Sequence, residues 1–301
     1  MPMSTARPIQ QIIAPHIKDL GGFQARRSLP HDTLTLVGPF IFFDHLGPAT
    51  FPPGKGVDVR PHPHINLATV TYLFEGALMH RDSLGTVQEI RPGAVNWMTA
   101  GKGIVHSERS PDHTRDQTAT LHAIQTWIAL PEKYEEVDPA FDHYASQTMP
   151  QWEAQGATIK LIAGKIGDRT SPVKTYSPML YLDVQIPKGG QFTIPADYSE
   201  RAVYSVTDGL SLGGESIQQH RLAVLEAGQI VTIESQSEAR CIVIGGESVG
   251  DRIKWWNFVS SRAERIEQAK QDWKAQKFER VPNEKDFIPL PSEENSVQPL
   301  S

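Results

Sequence analysis

The sequence predicts an all-β protein of two antiparallel β-barrels or sandwiches, with one helix near the C-terminus. Three observations predict it. Short runs rich in β-branched and aromatic residues alternate with turn signals about ten residues apart. The 23 glycines and 23 prolines supply those turns and argue against a helical bundle, because proline breaks helix interiors. Two such β-rich halves of similar length flank an acidic, proline-interrupted stretch at 131–155.

The elements follow in chain order. Residues 35–43 are apolar around Gly38-Pro39, and 67–74 and 119–130 are rich in β-branched and aromatic residues. Turns fall at Pro52-Pro53-Gly54, Glu75-Gly76, Leu84-Gly85, Pro92-Gly93 and Gly101-Lys102-Gly103. After the crossover the β text resumes at 158–164, 179–186, 202–206, 221–225, 230–233 and 240–244. The clearest helix is 261–278. Ser261 and Glu264 form a capping-box pattern, and Ile266, Ala269 and Trp273 recur on one face. The tail from 281 to 301 carries Pro282, Pro289, Pro291 and Pro299 and reads as extended. These features place a first domain at 1–135 and a second at 136–301, the latter with the helix and tail.

Composition narrows the class. A chain of 301 residues with 39% apolar and 21% charged residues has enough apolar text for a core, which excludes disorder as its main state. The net charge of -6 supplies no general counterion-release term, so direct nucleic-acid binding is not expected. Cys241 is the single cysteine; it permits no internal disulfide and reads as buried and inert. No apolar run approaches the roughly 18 to 20 residues of a membrane span. Residues 1–23 are broken by Pro8 and Pro15 and lack a signal peptide's apolar core. A cytoplasmic protein without membrane attachment is expected.

Histidine is the informative residue. Ten of the 11 lie between His16 and His143, which puts any chemistry in the first half. In Arg60-Pro61-His62-Pro63-His64 the two imidazoles are two residues apart, so on a strand they share a face. Pro61 and Pro63 lack backbone donors and place the strand at a sheet edge. His106 and Glu108 have the same spacing. An isolated His-X-His is more often a solvated edge, but the two pairs together make three histidines and a carboxylate. Nitrogen and oxygen donors without thiolate suit a divalent first-row metal such as Fe, Mn, Ni, Co or Zn. Four protein ligands on an octahedral ion leave two positions open, as catalysis requires. The second half has no such set: His220 stands alone, with Glu215 and Glu226 at unhelpful spacing.

Several longer stretches carry a resemblance. They are Gly38-Pro39-Phe40-Ile41-Phe42-Phe43-Asp44-His45, Pro61-His62-Pro63-His64, Thr69-Val70-Thr71-Tyr72 and His80-Arg81-Asp82-Ser83-Leu84-Gly85. The longest runs from Trp97-Met98 through Gly101 to His106-Ser107-Glu108, and Gln125-Thr126-Trp127 and Trp255-Trp256-Asn257-Phe258-Val259-Ser260 follow. Together they resemble the pirins of the cupin superfamily, from about residue 21 to residue 273. The resemblance implies a bicupin of two stacked barrels with metal in the N-terminal one alone. It implies His62, His64, His106 and Glu108 as metal ligands and Fe(II) as the expected metal, with Mn, Ni, Co, Cu and Zn as the other candidates. Trp97, Met98, Gln125 and Trp127 become candidates for a substrate pocket, and Asp44 a candidate acceptor behind a ligating histidine.

One departure stands out. Many pirins carry glutamate where this chain has Ala68, which leaves Glu108 as the one carboxylate ligand. Glu75 is about 35 Å beyond His64 along an extended strand and cannot replace it. For function, the resemblance implies a quercetin 2,3-dioxygenase that opens a flavonol ring with O2 and releases CO, with Glu108 as general base. The alternative it implies is a redox-sensing metal-binding regulator, acting through a protein partner as a transcriptional co-regulator or a modulator of a metabolic enzyme. A monomer is expected, because a bicupin buries its barrel faces internally.

Overall fold

The computed structural model describes residues 7–20, 22–292 and 298–300. The chain is mostly β and divides into two compact units, each a cupin domain made of several chain segments. One takes Ile17–Ala25, Ile41–Ser146 and Val249–Ser301 and holds most of the histidines. The other takes Met1–His16, Arg26–Phe40 and Gln147–Ser248. This differs from the linear split at 135/136 at both ends of the chain. Strand Ile9–Ile13 pairs with Leu222–Leu225 in the second half, and the C-terminal helix packs on the first half's strands.

In the histidine-rich unit a four-stranded sheet runs Asp58–His64, Ile104–Arg109, Leu78–Asp82, Val87–Ile90. A larger sheet orders Ala140–Tyr144, Val95–Thr99, Leu67–Gly76, Ala119–Ala129 and Phe40–Phe51, then Gln24–Leu29 and His16–Asp19. Asp58–His64 is an edge strand, where its prolines cost no ladder bonds on the outer side. The strand expected over 35–43 begins later and runs Phe40–Phe51. Gly38, at φ 55°, turns the chain just before it. Leu46, Phe51, Leu73, Leu78, Ile90, Leu121 and Ala123 pack as one apolar cluster in this unit.

The helix spans Ala263–Lys274, shorter than the expected 261–278 at both ends. The expected capping box does not form: Arg262 is the N-cap and no side chain caps the helix. Glu135, only 1% exposed, takes Ser261 instead, accepting from its backbone N–H and its hydroxyl at 2.8 Å each. Glu135 is also paired with the buried Arg252 at 2.9 Å, and Ser261 joins this buried polar cluster rather than capping the helix. At the other end Gln276 adopts a left-handed φ of 56° and ends the helix. Ile266, Ala269 and Trp273 do form the buried face, against Ile65, Val105, Trp255 and Phe258. The tail has one strand, Gln298–Leu300, which pairs with Arg252–Trp255. Residues 293–297 and 301 of the expected extended tail lie outside the described residues.

The other unit has a large sheet built around Ala157–Ile166, Met179–Ile186, Ala239–Gly246, Glu200–Ser205 and Leu222–Leu225, with a four-stranded sheet beside it. Its core is mostly Leu, Ile and Val, with Phe192, three alanines and the fully buried Cys241. Burial pushes the Cys241 thiol well above its ordinary pKa, so it is not a thiolate. Among the described residues no helix is long and apolar enough to cross a membrane.

Candidate metal centre

Asp58–His64 and Ile104–Arg109 pair antiparallel with His62 opposite His106. Strand alternation puts His64 on the same face as His62, so three imidazoles converge from two neighbouring strands. Their ring centroids are 4.4 Å (His62–His106), 5.1 Å (His62–His64) and 5.1 Å (His64–His106) apart. One ring nitrogen from each lies within 4.8 Å of the others. All three are buried, at 7%, 1% and 1% exposure for His62, His64 and His106.

Each ring is oriented from behind through Nδ1. His62 Nδ1 donates to the Arg60 carbonyl at 2.8 Å, and His64 Nδ1 to the Asn257 carbonyl at 3.3 Å. His106 Nδ1 meets His80 Nδ1 at 3.4 Å. Nδ1 is thus taken in every ring, and Nε2 is the nitrogen left for a ligand. His106 Nε2 is buried without any hydrogen-bond partner, a cost that a bound ion would remove. Burial lowers the pKa of all three histidines, and neighbouring imidazoles lower His64 and His106 further. Neutral rings with free Nε2 lone pairs and no thiolate fit a divalent first-row metal.

Glu108 lies on the same strand and face as His106 but outside the close triad. Gln125 Nε2 donates to both its carboxylate oxygens, at 2.9 and 2.8 Å, and the Thr71 hydroxyl donates to one at 3.2 Å. Register places the pocket candidates. Gln125 is opposite Thr71, while Trp127 and Met98 are both opposite Thr69. These three share the face that addresses Glu108. Trp127 stacks on Phe42 at 4.1 Å and meets His64 edge-on at 4.9 Å. Trp97 is opposite Val70 and therefore points to the other face, away from the histidines. Ala68 pairs with Thr99 and Ile128 on that same far face. A glutamate there would not reach the triad, so the substitution leaves the donors around the histidines untouched.

Asp44 is buried, yet none of the three histidines donates to it. The carboxylate behind the site is Asp82, one residue further removed. Its Oδ2 lies 2.8 Å from His80 Nε2, while Oδ1 accepts the backbone N–H groups of Leu84 and Thr86. Asp82 therefore caps the turn with one oxygen and anchors His80 with the other. The signal was available: His80-X-Asp82 has the two-residue spacing of the other two pairs, and it sits opposite His106 and Glu108 in the sheet. Asn257, whose carbonyl accepts from His64, had no such spacing to reveal it. His113 is surface-exposed, and His122 is half-buried with its Nε2 2.6 Å from that of His45.

Comparison with known proteins gives the family. The family model for pirin matches residues 22–128, and that for the pirin C-terminal cupin domain matches 181–279. A pirin-like protein of Caulobacter vibrioides is 44% identical over 279 residues, covering 91% of this chain and 96% of its own length. The chain belongs to the pirin family. Among other pirin relatives, a Pseudomonas aeruginosa protein described as a "putative quercetin 2,3-dioxygenase" is 39% identical, covering 88% of this chain and 83% of its own. A solved structure of quercetin 2,3-dioxygenase from Acinetobacter baumannii superposes with a TM-score of 0.89 at 33% identity, covering 97% of this chain and 98% of that one. The histidine triad falls inside the residues matched by the first of the two pirin family models.

Proposed function

We propose that this pirin-family protein is a metal-dependent dioxygenase of the quercetin 2,3-dioxygenase type, with Fe(II) held by His62, His64, His106 and Glu108. The observation that carries the reading is the buried, neutral triad beside a carboxylate pinned by Gln125. The dioxygenase names of two relatives support the substrate class. When bound, the ion would supply Lewis-acid polarisation of a flavonol hydroxyl and a redox partner for dioxygen.

The chain's own residues do the rest. Glu108 accepts the flavonol 3-hydroxyl proton as general base. Gln125 and Thr71 hold that carboxylate in place, so its basic oxygen is presented in one direction. Trp127, Phe42 and Met98 form an apolar wall on which a flat ring system can lie. Opening of the central ring with O2 would yield a depside ester and CO.

The test is anaerobic loading with Fe(II), then aerobic quercetin turnover with CO detection, with metal-free protein as control. Metal-dependent loss of the flavonol absorbance with one CO per turnover is expected. No turnover by stoichiometrically loaded protein would replace the reading with a redox-sensing regulator acting through protein partners. Glu108→Gln is expected to keep some metal and lose most turnover, whereas His62→Ala or His106→Ala loses the metal. Normal turnover in Glu108→Gln would remove the general-base role.

A further inference from the structure

A neutral histidine can offer a lone pair to a metal only at the nitrogen that carries no proton, so some group must decide where the proton sits. For His62 and His64 the decision is local, because a carbonyl accepts at Nδ1 and can do nothing else. His106 is different. Its Nδ1 faces another imidazole nitrogen, His80 Nδ1, at 3.4 Å, and that atom can either donate or accept. The contact alone leaves the proton's place open.

Asp82 closes the question. It is fully buried, and its Oδ2 lies 2.8 Å from His80 Nε2. A carboxylate only accepts, so His80 carries a proton on Nε2, and as a neutral ring it presents a lone pair at Nδ1. His106 must then donate from Nδ1, which leaves the lone pair on its Nε2, the buried atom with no partner. His80 is held in plane by Phe141, whose ring stacks on it at 4.2 Å and 20°. Asp82 is itself fixed by the Leu84 and Thr86 N–H groups at 2.9 and 3.1 Å.

We propose that Asp82 and His80 are positioning residues that set the tautomer of His106, and so switch its Nε2 into the metal-binding form. This rests on the metal reading of the triad, but its direct readout needs no metal.

Asp82→Asn separates this role from a structural one. An asparagine oxygen can keep both turn bonds, and its NH2 then faces His80 Nε2. His80 must accept there and carry its proton on Nδ1, so His106 must accept at Nδ1 and carry its own proton on Nε2. The polarity of the whole chain reverses while its shape stays the same. His80→Phe removes the acceptor but keeps the stacking on Phe141.

Two measurements decide it. Imidazole 15N shifts of the metal-free protein report each tautomer; His106 is expected as the Nδ1–H form in the wild type and the Nε2–H form in Asp82→Asn. Co(II) affinity by competition titration is expected to fall 10- to 100-fold in Asp82→Asn and in His80→Phe. The proposal is overturned if His106 keeps the Nδ1–H form in Asp82→Asn, or if both variants bind Co(II) within about threefold of the wild type. If Asp82→Asn fails to fold, the wild-type tautomer and the His80→Phe affinity decide in its place. Should the wild type itself bind no Co(II), the metal reading fails, while the 15N shifts still judge the tautomer chain.

Discussion

His220 shows what burial does to a single titrating side chain away from the metal centre. Desolvation, aided by the nearby Arg26 and Arg221 charges, pushes its pKa down to about 4. In the unfolded chain the value is about 6.5. The native state therefore holds the neutral form through a window in which the unfolded state is protonated. Its contribution to stability is full above pH 6.5, falls as the pH drops toward 4, and is absent below that. His220 sits at φ 61°, a conformation that asparagine tolerates. His220→Asn is expected to flatten the stability-against-pH curve between 6.5 and 4 relative to the wild type. Denaturant titrations at pH 7, 5.5 and 4.5 check it; parallel curves would refute it.

The C-terminal arm beyond the helix is the element with most to say about the centre. Ile288 N–H donates to the Pro61 carbonyl at 2.8 Å, and Trp273 Nε1 donates to the Ile288 carbonyl at 3.0 Å. Glu284 accepts from the Ser107 hydroxyl at 2.8 Å and from Arg109 at 3.0 and 2.7 Å. Pro61 precedes His62 and Ser107 follows His106, so the arm grips both ligand strands from behind. A cavity of about 250 Å³ lies under it, lined by Pro61, Val105, Trp273 and Phe287. Arg109 hydrogen bonding holds Glu284 below the usual carboxylate range, so it is ionised at neutral pH. Glu284→Gln is expected to cost about 1 to 3 kcal/mol. It should also raise hydrogen exchange at 58–64 and 104–109 specifically; an unchanged exchange pattern would show that the arm is passive.

At the scale of the molecule, the one histidine triad found among the described residues lies in one cupin unit. A ligand present at 100 times its Kd stabilises the state that binds it by about 2.7 kcal/mol. Saturating Co(II) is therefore expected to slow hydrogen exchange in the strands Asp58–His64 and Ile104–Arg109, with no direct effect on the Ala157–Ile166 and Met179–Ile186 strands. Equal protection in both units would contradict a single site.

Much of this was legible in the residue text, for a physical reason. Strand periodicity is two, so His62-X-His64 and His106-X-Glu108 announce a shared face without a structure. Turn glycines and prolines mark the β segments as clearly. What was not legible depends on register and on distant segments. Trp97 and Met98 are neighbours in sequence, and only the pairing with Thr69 and Val70 tells which one faces the histidines. Asp44 was favoured over Asp82 behind the site, since the fold is needed to show that His80 stands between Asp82 and His106. The non-linear packing of the two ends was not legible either, because the first strand and the last helix each join elements far away in sequence.

The Asn257 carbonyl behind His64 has a consequence for synthesis. The two residues are 193 positions apart. At ribosomal rates of 5 to 20 residues per second, the acceptor emerges about 10 to 40 s after the histidine it orients. All three imidazoles of the triad are made by residue 106, so for that interval the nascent chain holds them without the full set of groups that aim them. The order of translation thus leaves completion of the triad to a segment made long after the histidines themselves.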